Sequence, residues 1–201
     1  EAGHRGVSLR VIRGQRVAVT STSDLSEVGI ARCVSDALML AELSEADACA
    51  GPAAPEDLAT EPYPDLQLYD PSVETITAEV ALERARRAER AAMEFDPRIT
   101  LSEGATFSRT TGASARVISN GFSGGQRGAY APLVVTPVAR DEGGKRRRGF
   151  HWSARRHLAE LDPDEEVGRE AARRTLAKLG ARKVPTAEAA VIFDPEIARS
   201  I

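Results

Sequence analysis

Residues 162–195 read DPDEEVGREAARRTLAKLGARKVPTAEAAVIFDP, and the helix they encode is the element against which the rest of the chain is read. Asp162 is placed to act as an N-cap. Pro163 fits the first helical position, where no N–H is missed, and Glu165 is placed to complete a capping box. Asp164 and Glu165 fall in the first turn and Lys178 near the last, each at the end the helix dipole favours. Val167, Ala171, Ala172, Leu176 and Leu179 recur at helical spacing, and Gly180 suits a left-handed C-cap. The spacing predicts a helix over 163–179. After a short basic loop, the apolar run 189–193 reads as a buried strand ended by Asp194-Pro195.

Upstream of this helix, residues 99–153 read as β structure. Ile99 and Leu101 begin a strand, 107–118 alternates small, polar and apolar residues, and Asn120-Gly121 is a tight-turn signal. The return run 122–139 carries Gly124, Gly125 and Gly128 before Leu133, Val134, Val135 and Val138, and Asp141-Glu142-Gly143-Gly144 turns the chain into a strand over 148–153. An antiparallel meander with helices on one face follows, an α+β fold.

A helix over 78–95, capped by Thr77 and stopped by Asp96-Pro97, presents Val80 or Ala81, Ala85, Ala88 and Ala92 as a narrow apolar stripe. Its other faces set Glu79 and Glu83 against Arg84, Arg86 and Arg87, which reads as a solvated, charge-balanced surface.

Nearer the start, Val7, Leu9 and Val11 alternate, Gly14 marks a turn, and Val17 and Val19 resume the alternation, a β-hairpin. Ser26 then caps a helix whose predicted apolar face is Ile30, Val34, Ala37, Leu38 and Ala41. Residues 50–71 accumulate prolines and acidic residues without periodicity and read as a surface connection.

The 201 residues are 42% hydrophobic but only 4% aromatic, so any core rests on Ala, Val, Leu and Ile. A net charge of −3 offers no global attraction to polyanions or acidic membranes. No run is long and apolar enough to span a bilayer and no basic-then-apolar leader opens the chain. Cys33 and Cys49 are too few and too far apart for a zinc knuckle or redox pair and read as reduced thiols. The expectation is a cytoplasmic protein. Because the sequence opens on Glu1 and enters a strand almost at once, it reads as a piece of a longer chain.

Candidate chemistry is sparse. Gly121, Gly124, Gly125 and Gly128 resemble a phosphate loop in composition only, since they precede a strand and no Gly-Lys-Ser/Thr follows. Hairpin and bulge positions account for them. His151 and His157 would share a face if one strand carried both, yet no ligand spacing surrounds them, and His4 adds nothing. Lys145, Arg146, Arg147 and Arg148 form the one dense basic run, beside Phe150 and Trp152, and are the candidate polyanion contact. A solvated hairpin tip explains the same run. No serine or threonine stands in a nucleophile elbow or a legible triad, so no catalytic or metal-binding residue is assigned.

Several short motifs, taken in order, resemble the TldD/PmbA family, also described as modulators of DNA gyrase, and within it the PmbA (TldE) branch. They are Ser21-Thr22-Ser23-Asp24-Leu25-Ser26, Ala48-Cys49-Ala50-Gly51, Arg98-Ile99-Thr100, Ser119-Asn120-Gly121-Phe122-Ser123-Gly124, Ser153-Ala154-Arg155-Arg156, and the block from Glu166-Val167-Gly168 to Phe193. The resemblance spans nearly the whole chain.

It implies a cytosolic zinc metallopeptidase assembly in which a TldD-type and a TldE-type subunit, or two copies of one chain, degrade unfolded or extended peptides. Metal-activated water would attack the peptide carbonyl with a glutamate as base. The HExxxH helix and later cysteine that hold zinc in the TldD type do not occur here. The chain is therefore expected to be an N-terminal α+β part holding no cofactor itself, with zinc in the assembled complex.

Its expected divisions are 1–50, hairpin plus helix left from a first subdomain; 51–76, a linker; 77–186, a central α+β subdomain with a hinge at 182–186; and 187–201, the start of a C-terminal domain. Asn120, Gly121, Gly124, Gly125 and Gly128 are the expected substrate-channel or hairpin residues. Peptides are the expected substrates, and neither membrane nor nucleic acid is expected as a partner. The alternative reading is a binding module that contacts DNA gyrase or nucleic acid through 145–148.

Overall fold

The computed structural model describes residues 2–198 and 200. The chain forms two compact units, one of residues up to Asp65 together with Ala115–Gly125, the other of Leu66–Ser114 together with residues from Gln126 on. The cut after Asp65 falls inside the proline-rich stretch 51–76. Among the described residues no helix is long and apolar enough to cross a membrane.

In the first unit, β1 (Val7–Arg13) and β2 (Arg16–Thr22) pair antiparallel from Val7↔Thr22 to Arg13↔Arg16. Their loop is Gly14-Gln15, both at positive φ (55° and 64°), the backbone that lets a two-residue turn follow the strand twist. Helix α1 (Glu27–Leu43) starts at Ser26, whose hydroxyl accepts from the Gly29 N–H at 3.1 Å. The buried face is only partly the one predicted, sharing Ala37 and Ala41 with it. Gly29, Cys33, Ala37 and Ala41 face inward while Ile30, Val34 and Leu38 stand about 40% exposed. Small side chains admit the hairpin closely, and the Thr20 hydroxyl donates to the Cys33 carbonyl at 3.1 Å.

The second unit is built on β5 (Ser123–Arg140), the centre of a five-stranded sheet with β3 (Ile99–Phe107), β4 (Thr110–Val117), β6 (Arg146–Arg148) and β7 (His151–Arg155). The sheet is not a simple meander. β5 is 18 residues long, so it pairs β4, and then, over 131–140, holds β3 on one side and β7 and β6 on the other. Ala129, Ala131, Leu133, Val135 and Ala139 alternate inward along it. The single strand predicted over 148–153 is two. Gly149 interrupts it, donating to the Pro137 carbonyl at 3.3 Å and lying so near the helix that carries Thr175 that a Cβ would come within 2.4 Å of the Thr175 hydroxyl.

Short helix α2 (Pro71–Glu74) precedes α3 (Ala78–Met93), capped by Thr77. Helix α4 (Asp164–Leu176) begins one residue later than predicted and ends earlier. Pro163, not Asp162, holds the cap position and supplies no side-chain bond, because its ring carries no acceptor, and the first-turn acid Asp164 is engaged by Arg84 of α3. Gly180 does take the left-handed conformation at φ 68°. Helices α3 and α4 cross on Ala85, Ala88 and Ala92 against Gly168, Ala171 and Ala172, all buried. At Gly168 a Cβ would lie 2.0 Å from the Ala88 carbonyl oxygen, so the crossing distance depends on glycine. An aromatic-poor sequence thus makes a core of closely approached backbones, with Ile99, Phe107, Leu133, Val135 and Val167 filling between helices and sheet.

The buried strand predicted over 189–193 does not form. Residues 181–194 carry no regular structure and are exposed, Ile192 at 97%. An apolar run becomes a strand only beside an edge that accepts its backbone bonds, and among the described residues none pairs with it. A short helix, α5 (Pro195–Ala198), follows; residues 199 and 201 of the expected new domain lie outside the described residues.

Candidate functional site

The residues singled out from sequence gather on the β4–β5 hairpin. Gly121, at φ 112°, closes the turn and donates to the Ile118 carbonyl at 3.1 Å. Asn120 donates from Nδ2 to the Ala53 carbonyl at 2.6 Å. The Phe122 ring meets the Tyr63 ring at 5.8 Å and covers Gly124, where a Cβ would stand 2.9 Å from the ring; the Tyr63 hydroxyl donates to the Ser123 carbonyl at 3.1 Å. The tip is thereby held on the 53–63 segment within the first unit. Nearer the sheet, Gly125 is exposed, and at Gly128 a Cβ would lie 3.9 Å from the Leu68 carbonyl oxygen, an ordinary contact. Almost every side chain of β4 is exposed, so the hairpin is a two-stranded ribbon of small, polar residues with accessible backbone.

The basic run is only partly available. Asp141, buried, accepts from the Gly180 and Glu142 N–H groups (3.0 and 2.9 Å) and from Arg147 Nε at 2.7 Å. The Gly180 N–H, then Arg147 and the Glu142 N–H, hold its carboxyl down to about 2. Arg148 pairs with Glu103 at 3.0 Å. Lys145 and Arg146 complete the run.

The histidines do not come together on one strand. β7 carries His151 and ends at Arg155, while His157 begins a 3-10 turn and meets the Gln67 carbonyl at 2.7 Å through Nε2. Cys33 is buried, Cys49 is exposed, and both are free thiols. Among the described residues no three His, Cys, Asp or Glu side chains are grouped to hold a metal ion.

Sequence reasoning missed the strongest electrostatic feature. Arg84 donates to Asp164 Oδ1 from Nε and Nη2 (3.0 and 2.7 Å), and Arg87 to Oδ2 from Nε and Nη2 (3.2 and 2.6 Å). The carboxylate is 4% exposed. These arginines do not balance Glu79 and Glu83 as predicted; they turn inward to clamp α3 to α4, and Asp164 holds the Arg87 guanidinium above its ordinary value. The Arg84 guanidinium also lies 4.8 Å from the Phe107 ring centroid. The available signal was the i,i+3 spacing of the arginines on the side of α3 next to its alanine stripe.

The opposite flank of α3 overhangs β3. Arg86, Glu89, Arg90 and Met93, with Ser102 of β3, line an open cleft of about 410 Å³. β3 is an edge strand, paired only with β5 among the described residues. Its ladder is broken by a bulge between Ser102 and Ala105, where Gly104 adopts φ 125° and donates to Ser102 Oγ at 2.9 Å.

Comparisons with known proteins agree with this fold. Residues 71–179 match the PmbA/TldA metallopeptidase central domain, and residues 1–41 match the PmbA/TldA metallopeptidase domain 1. The chain is 36% identical over 195 residues to the Metalloprotease PmbA of Escherichia coli O157:H7, covering 97% of this chain and 42% of that protein. It is 32% identical to the Metalloprotease PmbA homolog of Haemophilus influenzae, covering 99% of this chain and 43% of the homolog. It therefore spans less than half the length of these relatives. Among solved structures, a modulator of DNA gyrase from Bacteroides thetaiotaomicron superimposes with TM-score 0.81 at 25% identity, covering 91% of this chain and 41% of that one. TldE from Thermococcus kodakarensis shares the fold at TM-score 0.62 and 19% identity, covering 83% and 36% of the respective chains.

Proposed function

The chain belongs to the PmbA/TldA metallopeptidase family, and from that premise we propose that it is the substrate-admitting and assembly portion of a cytoplasmic metallopeptidase complex acting on unfolded or extended peptides. Its partner is a TldD-type subunit or a second copy. The exposed β4–β5 ribbon carries this reading, because small side chains and glycines leave the main chain open to an extended substrate of any sequence. In this proposal the residues of this chain bind and orient, while the metal and the groups that use it lie outside them; family membership supports that division. Deleting residues 121–128 in the full-length complex tests it: cleavage of an unfolded protein should fall while assembly, followed by size-exclusion chromatography, persists. Unchanged turnover would refute the reading.

A second reading rests on the name modulator of DNA gyrase carried by the Bacteroides relative. It uses Lys145, Arg146, Arg147 and Arg148 as a polyanion contact. Arg147 and Arg148 are engaged by Asp141 and Glu103, which leaves it the weaker of the two.

A further inference from the structure

We propose that the cleft between α3 and the outer edge of β3 docks an extended segment bearing acidic side chains, which adds to β3 as a strand and sets its carboxylates against Arg86 and Arg90. The proposal rests on the reading of this chain as part of a peptide-handling assembly and names where, and for what sequence chemistry, a peptide is held.

The surface combines backbone and charge. As an edge strand, β3 turns a row of N–H and C=O groups away from β5. A helix lying beside such an edge makes the groove that strand-adding peptide sites use, with the edge supplying main-chain bonds and the helix flank supplying side-chain selection. Here that flank is Arg86, Glu89, Arg90 and Met93, and the cleft of about 410 Å³ is large enough for side chains of a bound segment.

The arginines of α3 divide by face. Arg84 and Arg87 are engaged by Asp164, whereas Arg86 and Arg90, one helical turn apart, are exposed and have no ion pair among the described residues. Glu89 lies between them, half-buried, and offsets one charge, leaving the cleft net positive. Glu103 does not neutralise it, being paired with Arg148 at 3.0 Å. Met93 adds apolar contact for the intervening residues of the guest. The bulge at Glu103-Gly104 interrupts the edge, which discourages open-ended sheet growth between copies and restricts the guest to a short segment.

The test uses fluorescence anisotropy of the chain with two fluorescein-labelled peptides, Thr-Val-Glu-Val-Glu-Val-Thr and its counterpart with lysine in place of glutamate. The glutamate peptide should bind at least about tenfold more tightly at low salt. Combining Arg86→Glu with Arg90→Glu, both at exposed positions, should abolish or reverse that preference without changing the circular dichroism. N-methylation of alternate amides should weaken the glutamate peptide about tenfold, because an N-methylated amide cannot donate to the edge. Equal affinity for the two peptides, a preference that survives the double substitution, or indifference to N-methylation would each overturn the proposal. Cleavage of an unfolded protein by the full-length complex separates this from the broader reading. Selective peptide binding in a complex that cleaves nothing leaves the groove standing and removes the peptidase reading; unaltered cleavage with no peptide selectivity does the reverse.

Discussion

Replacing Asp164 by asparagine keeps the shape of a buried side chain and removes the charge that two guanidiniums share. The carboxylate is 4% exposed, Arg84 18% and Arg87 41%. Removing one partner of a buried pair costs about 3–5 kcal/mol, because the remaining charge is left uncompensated. The Arg87 leg is more than a third exposed, and such pairs contribute about 0–1 kcal/mol. The Arg84 leg therefore sets the magnitude, at about 3 kcal/mol, or a fall of about 10 °C in Tm for a domain of this size. Trp152, the only tryptophan in the sequence, lies on β7 in the same compact unit as α3 and α4, so urea unfolding followed by its fluorescence reports the right transition. Substituting Asp164→Leu together with Arg84→Met and Arg87→Met should recover much of the loss, since no charge remains uncompensated. Glu79→Gln and Glu83→Gln should shift the midpoint little. A loss below about 1 kcal/mol for Asp164→Asn, or an equal loss for Glu79→Gln, would refute the clamp.

Gly168→Ala should destabilise the same transition by about 2 kcal/mol, because the new methyl meets the Ala88 backbone oxygen and the helices must separate; Gly112→Ala, facing open space, should be nearly neutral. Asp141 supplies a pH dependence. Its folded carboxyl is held at about 2, below the ordinary 3.8, so its contribution is complete above about pH 4 and is lost as pH falls towards about 2. The stability difference between wild type and Asp141→Asn should shrink across that window, and a difference independent of pH would contradict the assignment. Ser26→Ala should cost α1 about 1 kcal/mol, measured as helix loss by circular dichroism during urea unfolding. In a gel shift, replacing Lys145 and Arg146 should leave polyanion binding weak and unchanged; strong, salt-sensitive binding lost on that replacement would favour the gyrase or nucleic-acid reading.

Much of the fold was legible because its signals are local. The Thr77 cap and the Asp96-Pro97 stop of α3, the Gly14 turn, the left-handed Gly180 and the alternation along β5 each depend on residues within a few positions of one another. Family membership was legible too, from the order of short motifs rather than from any single residue. The candidate sites were less so. The glycines at 121–128 lie along the β4–β5 hairpin, and the clamp and the cleft on the two flanks of α3 went unseen, because sequence spacing shows which residues share a face and not what lies opposite.

By itself the sequence determined the type of most elements and the need for an aromatic-poor core of small residues, since propensity, capping and periodicity are properties of the local chain. The tertiary structure decided the partners. It buried the Gly29–Cys33–Ala37 face of α1 instead of the bulkier one, because close approach to the hairpin outweighs side-chain size. It turned Arg84 and Arg87 inward and left Arg86 and Arg90 at the cleft, because a carboxylate 77 and 80 positions away settled beside one flank and an open strand edge beside the other. It withheld strand structure from 189–193, because an apolar run pairs only where an edge is present to receive it. Such choices depend on long-range geometry, and that geometry exists only in the folded chain.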